Sequence, residues 1–382
     1  RLGPRPSTQT DERMDLRNNV MYNWGGEGCY GGEGMNVNIV NNYYKPGPAT
    51  PSGGKGKRMA KPGIRTVDYC LNKDNTATNI NKELGTSLKK GDISGSSDGK
   101  DNFVQFTYNG AAKKFPINME ANTIEIDGKV IKVVWNDWKK MLQTWGTFHI
   151  NGNVNTKYDD ATNDNWTVGL FNQVDKGTKV DYHNMTAEDS RAFTPIPFVY
   201  TTTHSAEDAY EKVLEYAGAS LNRDAHDETI AHDAREGVVT SGGTGLIDNQ
   251  DEAMYIDGTS GWPVLNSTEA PVDTDGDGMP DEWESKNGLN PDDPEDGNIV
   301  NDEGYTNLEL YLNGLVDHIM TAGNEGGVGM NGIDGAPAGI DGIENDVAAE
   351  GNGKIYNLMG VEVSGQLAPG IYIRDGKKFI VR

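Results

Sequence analysis

The chain has 382 residues, a net charge of −24, 35% hydrophobic and 8% aromatic residues, and 49 glycines. That length suffices for two or three domains, and the composition, though polar and glycine-rich, holds too many packable segments for wholesale disorder. The acidic balance argues against nucleic acid and anionic membranes as partners, and no apolar run approaches the roughly 18 residues of a membrane span.

Arg1-Leu2-Gly3-Pro4-Arg5 has neither the initiator Met nor the apolar core of a signal peptide. Strand-like sequence follows almost at once, where a solenoid should carry a cap. The expectation is a C-terminal part of a longer protein, starting inside a domain. Residues 16–22 (LRNNVMY) then return as residues 39–44 (IVNNYY), with the two Asn-Asn pairs 23 residues apart. A fixed period of this size marks a solenoid, whose repeats bury their apolar faces against their neighbours. The units are β-branched or aromatic and separated by glycine-rich turns at 25–28 and 31–34, which suits one coil of a parallel β-helix. Asparagines at matching positions can stack into an inward ladder. Leu16 should then stack on Ile39, and Val20 on Tyr43; an antiparallel meander is the alternative.

Residues 51–65 are basic (Lys55, Lys57, Arg58, Lys61, Arg65) and read as a loop. Residues 66–145 read as an insertion with two hairpins, turning at Asn109-Gly110 and Asp127-Gly128. Coil-like sequence resumes at 147–154 (TFHINGNV), followed by Asn165-Trp166. Ser205 caps a helix over 205–217, with Ala206, Ala209, Tyr210, Val213, Leu214 and Ala217 as its apolar stripe and Gly218 as its end. The whole of 1–265 is thus expected to be parallel β-helix coils carrying that insertion and a docked helix. Residues 266–320 form a calcium-loop segment, 321–350 a flexible linker without apolar period, and 351–382 a small β module turning at Asp375-Gly376. Cys29 and Cys70 read as buried small hydrophobes, and no Cys/His spacing suggests zinc.

The sharpest chemical motif is Asp273-Thr-Asp275-Gly-Asp277-Gly278-Met279-Pro-Asp281-Glu-Trp-Glu284. Asp at loop positions 1, 3, 5 and 9, Gly at 6 and Glu at 12 fit the 12-residue calcium loop. Short carboxylates at alternate positions wrap a hard cation. The Met279 carbonyl adds a backbone ligand, Gly278 allows the sharp turn, and Glu284 closes the sphere with both oxygens. Pro280 replaces the usual hydrophobic residue, which favours a lone structural clamp over a paired sensor. Residues 273–303 hold twelve acids against Lys286, so net −11 is concentrated there unless a cation neutralises it. His226 and His232 are six residues apart, which suits no helical ligand pair. Trp24, Tyr43, Tyr44 and Trp166 offer rings for sugar stacking, but core packing is the expected role.

Several segments in order resemble secreted pectate lyases of the polysaccharide lyase family 1, Bacteroidetes type: residues 15–24 (DLRNNVMYNW), 34–48 (GMNVNIVNNYYKPGP), 215–225 (EYAGASLNRDA), and Gly261-Trp-Pro-Val-Leu265 leading into the calcium loop and Gly288-Leu-Asn-Pro291. The likeness covers about 1–50 and 146–315; residues 66–145 match no pattern of that family. It implies an all-β, right-handed parallel β-helix, truncated at its N-terminal side, in a secreted or cell-surface monomer. The substrate would be an acidic plant polysaccharide, pectate or polygalacturonate. The family cleaves it by calcium-assisted β-elimination: an arginine takes the proton alpha to the uronate carboxylate, and calcium neutralises that carboxylate. Arg1 matches the last arginine of the family's Arg-x-Pro-Arg-like stretch, so Arg1 and Arg5 are substrate-binding candidates. The catalytic arginine and the catalytic calcium carboxylates would lie upstream, and the chain alone is expected to be inactive. The tail, 355–361 and 368–378, resembles a C-terminal sorting domain. The competing reading is a non-catalytic carbohydrate-binding or adhesin-like β-helix.

Overall fold

A computed structural model describes residues 2–3, 5–26, 28–142, 144, 146–171, 190–198, 201–302, 304–329, 355–357, 362–363, 370–374 and 377–381. It divides into two compact units, one of 1–196 with 204–326 and one of 197–203 with 327–382. Sheets dominate, with a few helices packed on them.

In the first unit the chain lays down β1 (Arg13–Arg17), β2 (Val20–Tyr22), β3 (Tyr30–Gly31), β4 (Asn36–Val40), β5 (Tyr43–Lys45) and β6 (Lys61–Pro62). After the insertion come β12 (Thr147–Asn151) and β13 (Val154–Asn155). All of these pair in parallel. β1, β4 and β12 form one ladder, with Leu16 beside Ile39 and Ile39 beside Ile150. β2, β5 and β13 form a second, with Val20 beside Tyr43 and Tyr43 beside Val154. β3 and β6 form a third, extended by Leu2 beside Gly31. Residues 15–22 therefore run in the same direction as 38–45, and the meander is excluded for these segments.

The corner between the first two ladders explains the Asn-Asn pairs. Asn18 and Asn41 adopt left-handed backbone (φ 54° and 51°), and Gly152 does so at the third level (φ 68°). Asn and Gly tolerate that region best. The next residue of each corner bonds across the levels through its amide, buried at Asn42 and Asn153 and exposed at Asn19. Asn19 Nδ2 donates to Asn42 Oδ1 (3.1 Å), Asn42 Nδ2 to Asn153 Oδ1 (2.8 Å), and Asn153 Nδ2 to Asn165 Oδ1 (3.1 Å). Each of those acceptor oxygens also takes the backbone N–H of the Asn on the neighbouring level. Asn42 and Asn153 are 0% and 1% exposed, so these bonds replace water completely. Asn42→Ala removes the acceptor of the Asn19 N–H and Nδ2 and the donor to Asn153 Oδ1 and the Leu16 carbonyl. A buried unpaired polar group costs about 1–3 kcal/mol, and chemical denaturation of Asn42→Ala should show a loss of that size. A loss below about 0.5 kcal/mol would mean that the ladder does not hold the coils together.

Inside the coils, Val37, Ile39, Phe148, Ile150 and Trp166 build one core, and Tyr44, Met59 and Ala161 another. Trp166 and Tyr44 are buried, Trp24 packs edge-on against Tyr44 at 5.8 Å, and Tyr43 stacks on Tyr210 at 4.3 Å. Those rings serve packing. Tyr210 lies on the helix Ala206–Tyr216, capped by Ser205 and docked through Tyr210 and Leu214 on the outer side of Val20, Tyr22 and Tyr43. Cys29 and Cys70 are buried free thiols.

Between β6 and β12 the chain forms a sub-structure with a core of its own. The helix Lys73–Leu84 buries Ala77 and Ile80 against β7 (Ser94–Ser97), β8 (Asn102–Tyr108), β9 (Ala111–Pro116), β10 (Thr123–Ile126) and β11 (Lys129–Lys132) through Val104, Phe106, Ile124 and Ile131. Both hairpins turn at the expected dipeptides. Asn109 and Gly110 (φ 53° and 77°) and Asp127 and Gly128 (φ 50° and 76°) give the doubly left-handed turn that matches strand twist.

In the second unit, strands Ile355–Asn357, Glu362–Val363, Gly370–Arg374 and Lys377–Val381 form an antiparallel sheet. Asp375 and Gly376, and most of the expected linker, lie outside the described residues. In the first unit, the helix Asn307–Asn324 runs past the expected linker start at 321. Its capping box, Thr306 with Glu309, is a sequence signal that the reading of 266–320 as a loop segment passed over. Among the described residues, no helix is long and apolar enough to cross a membrane.

Candidate functional site

Two outer faces of the parallel ladders are already covered. On the first, Asp15, Asn38 and His149 stand side by side in register. Residues 190–196 lie over them: Asn38 exchanges two 2.9 Å bonds with the backbone of Ile196, and His149 Nδ1 meets the Ala192 carbonyl at 3.0 Å. Burial holds the His149 imidazole below its ordinary range. Asp15 and Arg17 form a 3.1 Å ion pair with side chains 5% exposed. The second face carries the helix Ala206–Tyr216. The third ladder differs, because Tyr30 is 46% exposed on it beside Lys61.

Of the arginine candidates, Arg1 lies outside the described residues. Arg5 is exposed, and its backbone N–H donates to Glu12 Oε1 at 3.2 Å. His226 and His232 both lie on the helix Ala225–Glu236. His226 packs on the Tyr255 ring and His232 sits by Asp233, so no shared ligand position forms.

The acidic loop does converge. Carboxylate oxygens of Asp273, Asp275 and Asp277 lie within 4.8 Å of one another, and so do those of Asp277, Glu284 and Asp296. Local sequence explains the first group. Asp273 accepts N–H bonds from Gly276 (2.8 Å) and Gly278 (3.1 Å), and Asp277 accepts the Met279 N–H (2.8 Å). Gly276 and Gly278 both have positive φ, which lets the chain fold back around its own carboxylates. The helix Asp281–Asn287 supplies Glu284, whose side chain its first turn turns inward; Glu284 and Met279 are both 0% exposed. Asp281 does something else. Its two oxygens take the N–H and Oγ1–H of Thr274 at 2.7 Å each, and it joins neither acid group.

This cluster is electrostatically unsatisfied. Both oxygens of Glu284 and one each of Asp275, Asp277 and Asp296 are buried without a hydrogen-bond partner. Burial first, then the charges of Asp275, Asp277, Asp296 and Asp281, pushes the Glu284 carboxyl up to about 7. Asp275 is raised as well, again chiefly by burial. Buried carboxylates at such spacing need protons or a cation. Oxygens at about 2.3–2.6 Å from one ion can be up to roughly 5 Å apart, so the donor set suits a hard divalent cation such as calcium.

A pH test follows. The metal-free folded chain keeps a proton on Glu284 that the unfolded chain releases at its ordinary value of 4.5. That stabilisation is complete below the unfolded value and lost as pH rises through the folded one. The melting temperature of chelator-treated protein should fall between about pH 5 and about pH 7.5, and Glu284→Gln should flatten that slope. A melting temperature that instead rises over this range would contradict the burial of Glu284.

A stacked parallel-strand protein with a converging acidic loop is the class that these features define. No family model matches the chain. It is 31% identical over 175 residues to a probable pectate lyase C of Emericella nidulans, covering 45% of this chain and 38% of that protein. A probable pectate lyase C of Aspergillus fumigatus is 35% identical over 176 residues, covering 45% and 37%. One of Aspergillus oryzae is 30% identical over 192 residues, covering 49% and 42%. The chain thus spans about two fifths of the length of these relatives, and the relationship is pectate lyase-like.

Proposed function

We propose that the protein carrying this chain is a secreted pectate lyase-type enzyme that cleaves polygalacturonate by calcium-assisted β-elimination on a right-handed parallel β-helix. The observation that carries this reading is the 30–35% identity to several proteins named probable pectate lyase C. Two parallel ladders in register with the sequence repeat, and a third beside them, support the scaffold. In the reaction a base removes the proton alpha to the uronate carboxylate, the electron pair forms the new double bond, and the glycosidic oxygen leaves. Bound calcium supplies charge neutralisation for the uronate carboxylates.

An acidic polymer approaching a chain of net −24 needs local positive charge. The run 55–65 supplies it next to the third ladder: Lys55 is exposed, and Arg58 and Lys61 stand over the Phe171 ring at 3.8 and 5.9 Å. Incubation of the full-length protein that carries this chain with polygalacturonate and calcium should raise the ultraviolet absorbance of unsaturated products, whereas the chain alone, or a neutral glucan, should give none. No rise on either polymer, with no retention on a polygalacturonate affinity gel, would rule this function out.

A further inference from the structure

We propose that the cation of the acidic loop is closed from outside the loop, by Asp296, and that Asp281 positions the loop without ligating. The inference rests on the calcium reading of residues 273–284.

Asp296 lies twelve residues beyond Glu284, in the 3-10 turn Asp296–Asn298, and no sequence spacing of the calcium loop assigns it a role. It is 7% exposed, and its Oδ1 has no hydrogen-bond partner. Its Oδ2 accepts the Asn290 N–H at 2.8 Å, which fixes a carboxylate that has an oxygen within 4.8 Å of those of Asp277 and Glu284. The backbone has been cleared for this approach. A Cβ on Gly297 would stand 2.5 Å from Asp277 Oδ2, closer than real atoms pack.

The unpartnered oxygens then form a coherent set. Asp275 Oδ2, Asp277 Oδ2, both oxygens of Glu284 and Asp296 Oδ1 make five. The Met279 carbonyl, at the backbone position of such loops, and Asp273 bring the set within the 6–8 oxygens calcium takes. Asp281 belongs to neither acid group, and Thr274 holds both of its oxygens. Asp296 also ties the ion to the next helix. Its carbonyl accepts Asn307 Nδ2 at 2.8 Å, at the start of the helix Asn307–Asn324. The ion therefore bridges the loop, the turn at 296 and that helix.

Calorimetric titration of the metal-stripped full chain with calcium alone tests this, using Asp296→Asn, Glu284→Gln, Asp281→Asn and Gly297→Ala. The parent should take one ion. Asp296→Asn and Glu284→Gln should each weaken binding about tenfold or more, since ligand charge sets affinity in these loops. Asp281→Asn keeps an acceptor for Thr274 and should lose least. Gly297→Ala changes no charge and should still weaken binding by displacing Asp277. Circular dichroism of each variant separates lost binding from lost folding. No calcium uptake by the parent would remove the calcium reading itself. Uptake by the parent with equal affinity in Asp296→Asn, or a greater loss in Asp281→Asn than in Asp296→Asn, would overturn the present proposal and leave that reading standing.

Discussion

Chelating calcium should raise hydrogen exchange across residues 273–307 about 100-fold while the parallel ladders keep their protection. A ligand at about a hundredfold excess over its Kd stabilises the form that binds it by about 2.7 kcal/mol. The affected amides can be named, because so many in this segment donate to the acid cluster: Gly276 and Gly278 to Asp273, Asp277 to Asp275, Met279 to Asp277, and Asn290 to Asp296. Without a cation the carboxylates repel, and the N–H bonds they accept weaken together. Little else holds the segment: Met279 is its principal buried apolar side chain, and Ile299, Val300 and Val272 are exposed. Mass spectrometry of exchange, with and without chelator, reads the effect by peptide. Equal exchange in both states would show that the acids fold without a metal.

Phe148→Ala should cost the ladder unit about 3–5 kcal/mol, the largest loss expected from one side chain here. Phe148 is 1% exposed on β12 and lies beside Val37 of β4. Its ring touches close to Gly32 and Gly146, where a Cβ would stand 3.0 and 2.6 Å away. Glycine at both positions lets the backbone approach the ring, so the neighbours cannot easily collapse into the cavity left by alanine. Val130→Ala, on a residue 66% exposed in the insertion, should stay within about 0.5 kcal/mol. Exchange protection of β4 and β12 amides would report the difference. A cost below about 1 kcal/mol for Phe148→Ala would mean that the coils are held chiefly by their backbone ladders and asparagines.

Much of this molecule is written locally. The Asn-Asn corners announce a left-handed residue followed by an inward amide, because few residue types tolerate the first and gain from the second. Asn109-Gly110 and Asp127-Gly128 fix two hairpins through the same preference. The alternation of Asp with Gly over 273–278 shapes a loop that points its carboxylates inward, whatever surrounds it. Ser205 and Thr306 both cap helices by bonding the N–H three residues on.

Long-range partners are another matter. Nothing near Thr147 states that β12 returns beside β4 after 106 intervening residues with Thr147 opposite Asn36. That register follows from burying Phe148 and Ile150 in the same column as Val37 and Ile39, since a slip by one residue would turn them outward. Asn165 likewise joins the ladder only because its loop ends where Asn153 needs an acceptor. Asp296 enters the acid cluster because the turn after the helix Asp281–Asn287 brings it back against Glu284. The sequence thus determined the corners, the hairpins, the caps and the acidic loop, each settled by backbone preferences within a few residues. Only the tertiary structure decided which distant oxygens face one another, because burial and register act on whole faces of the fold.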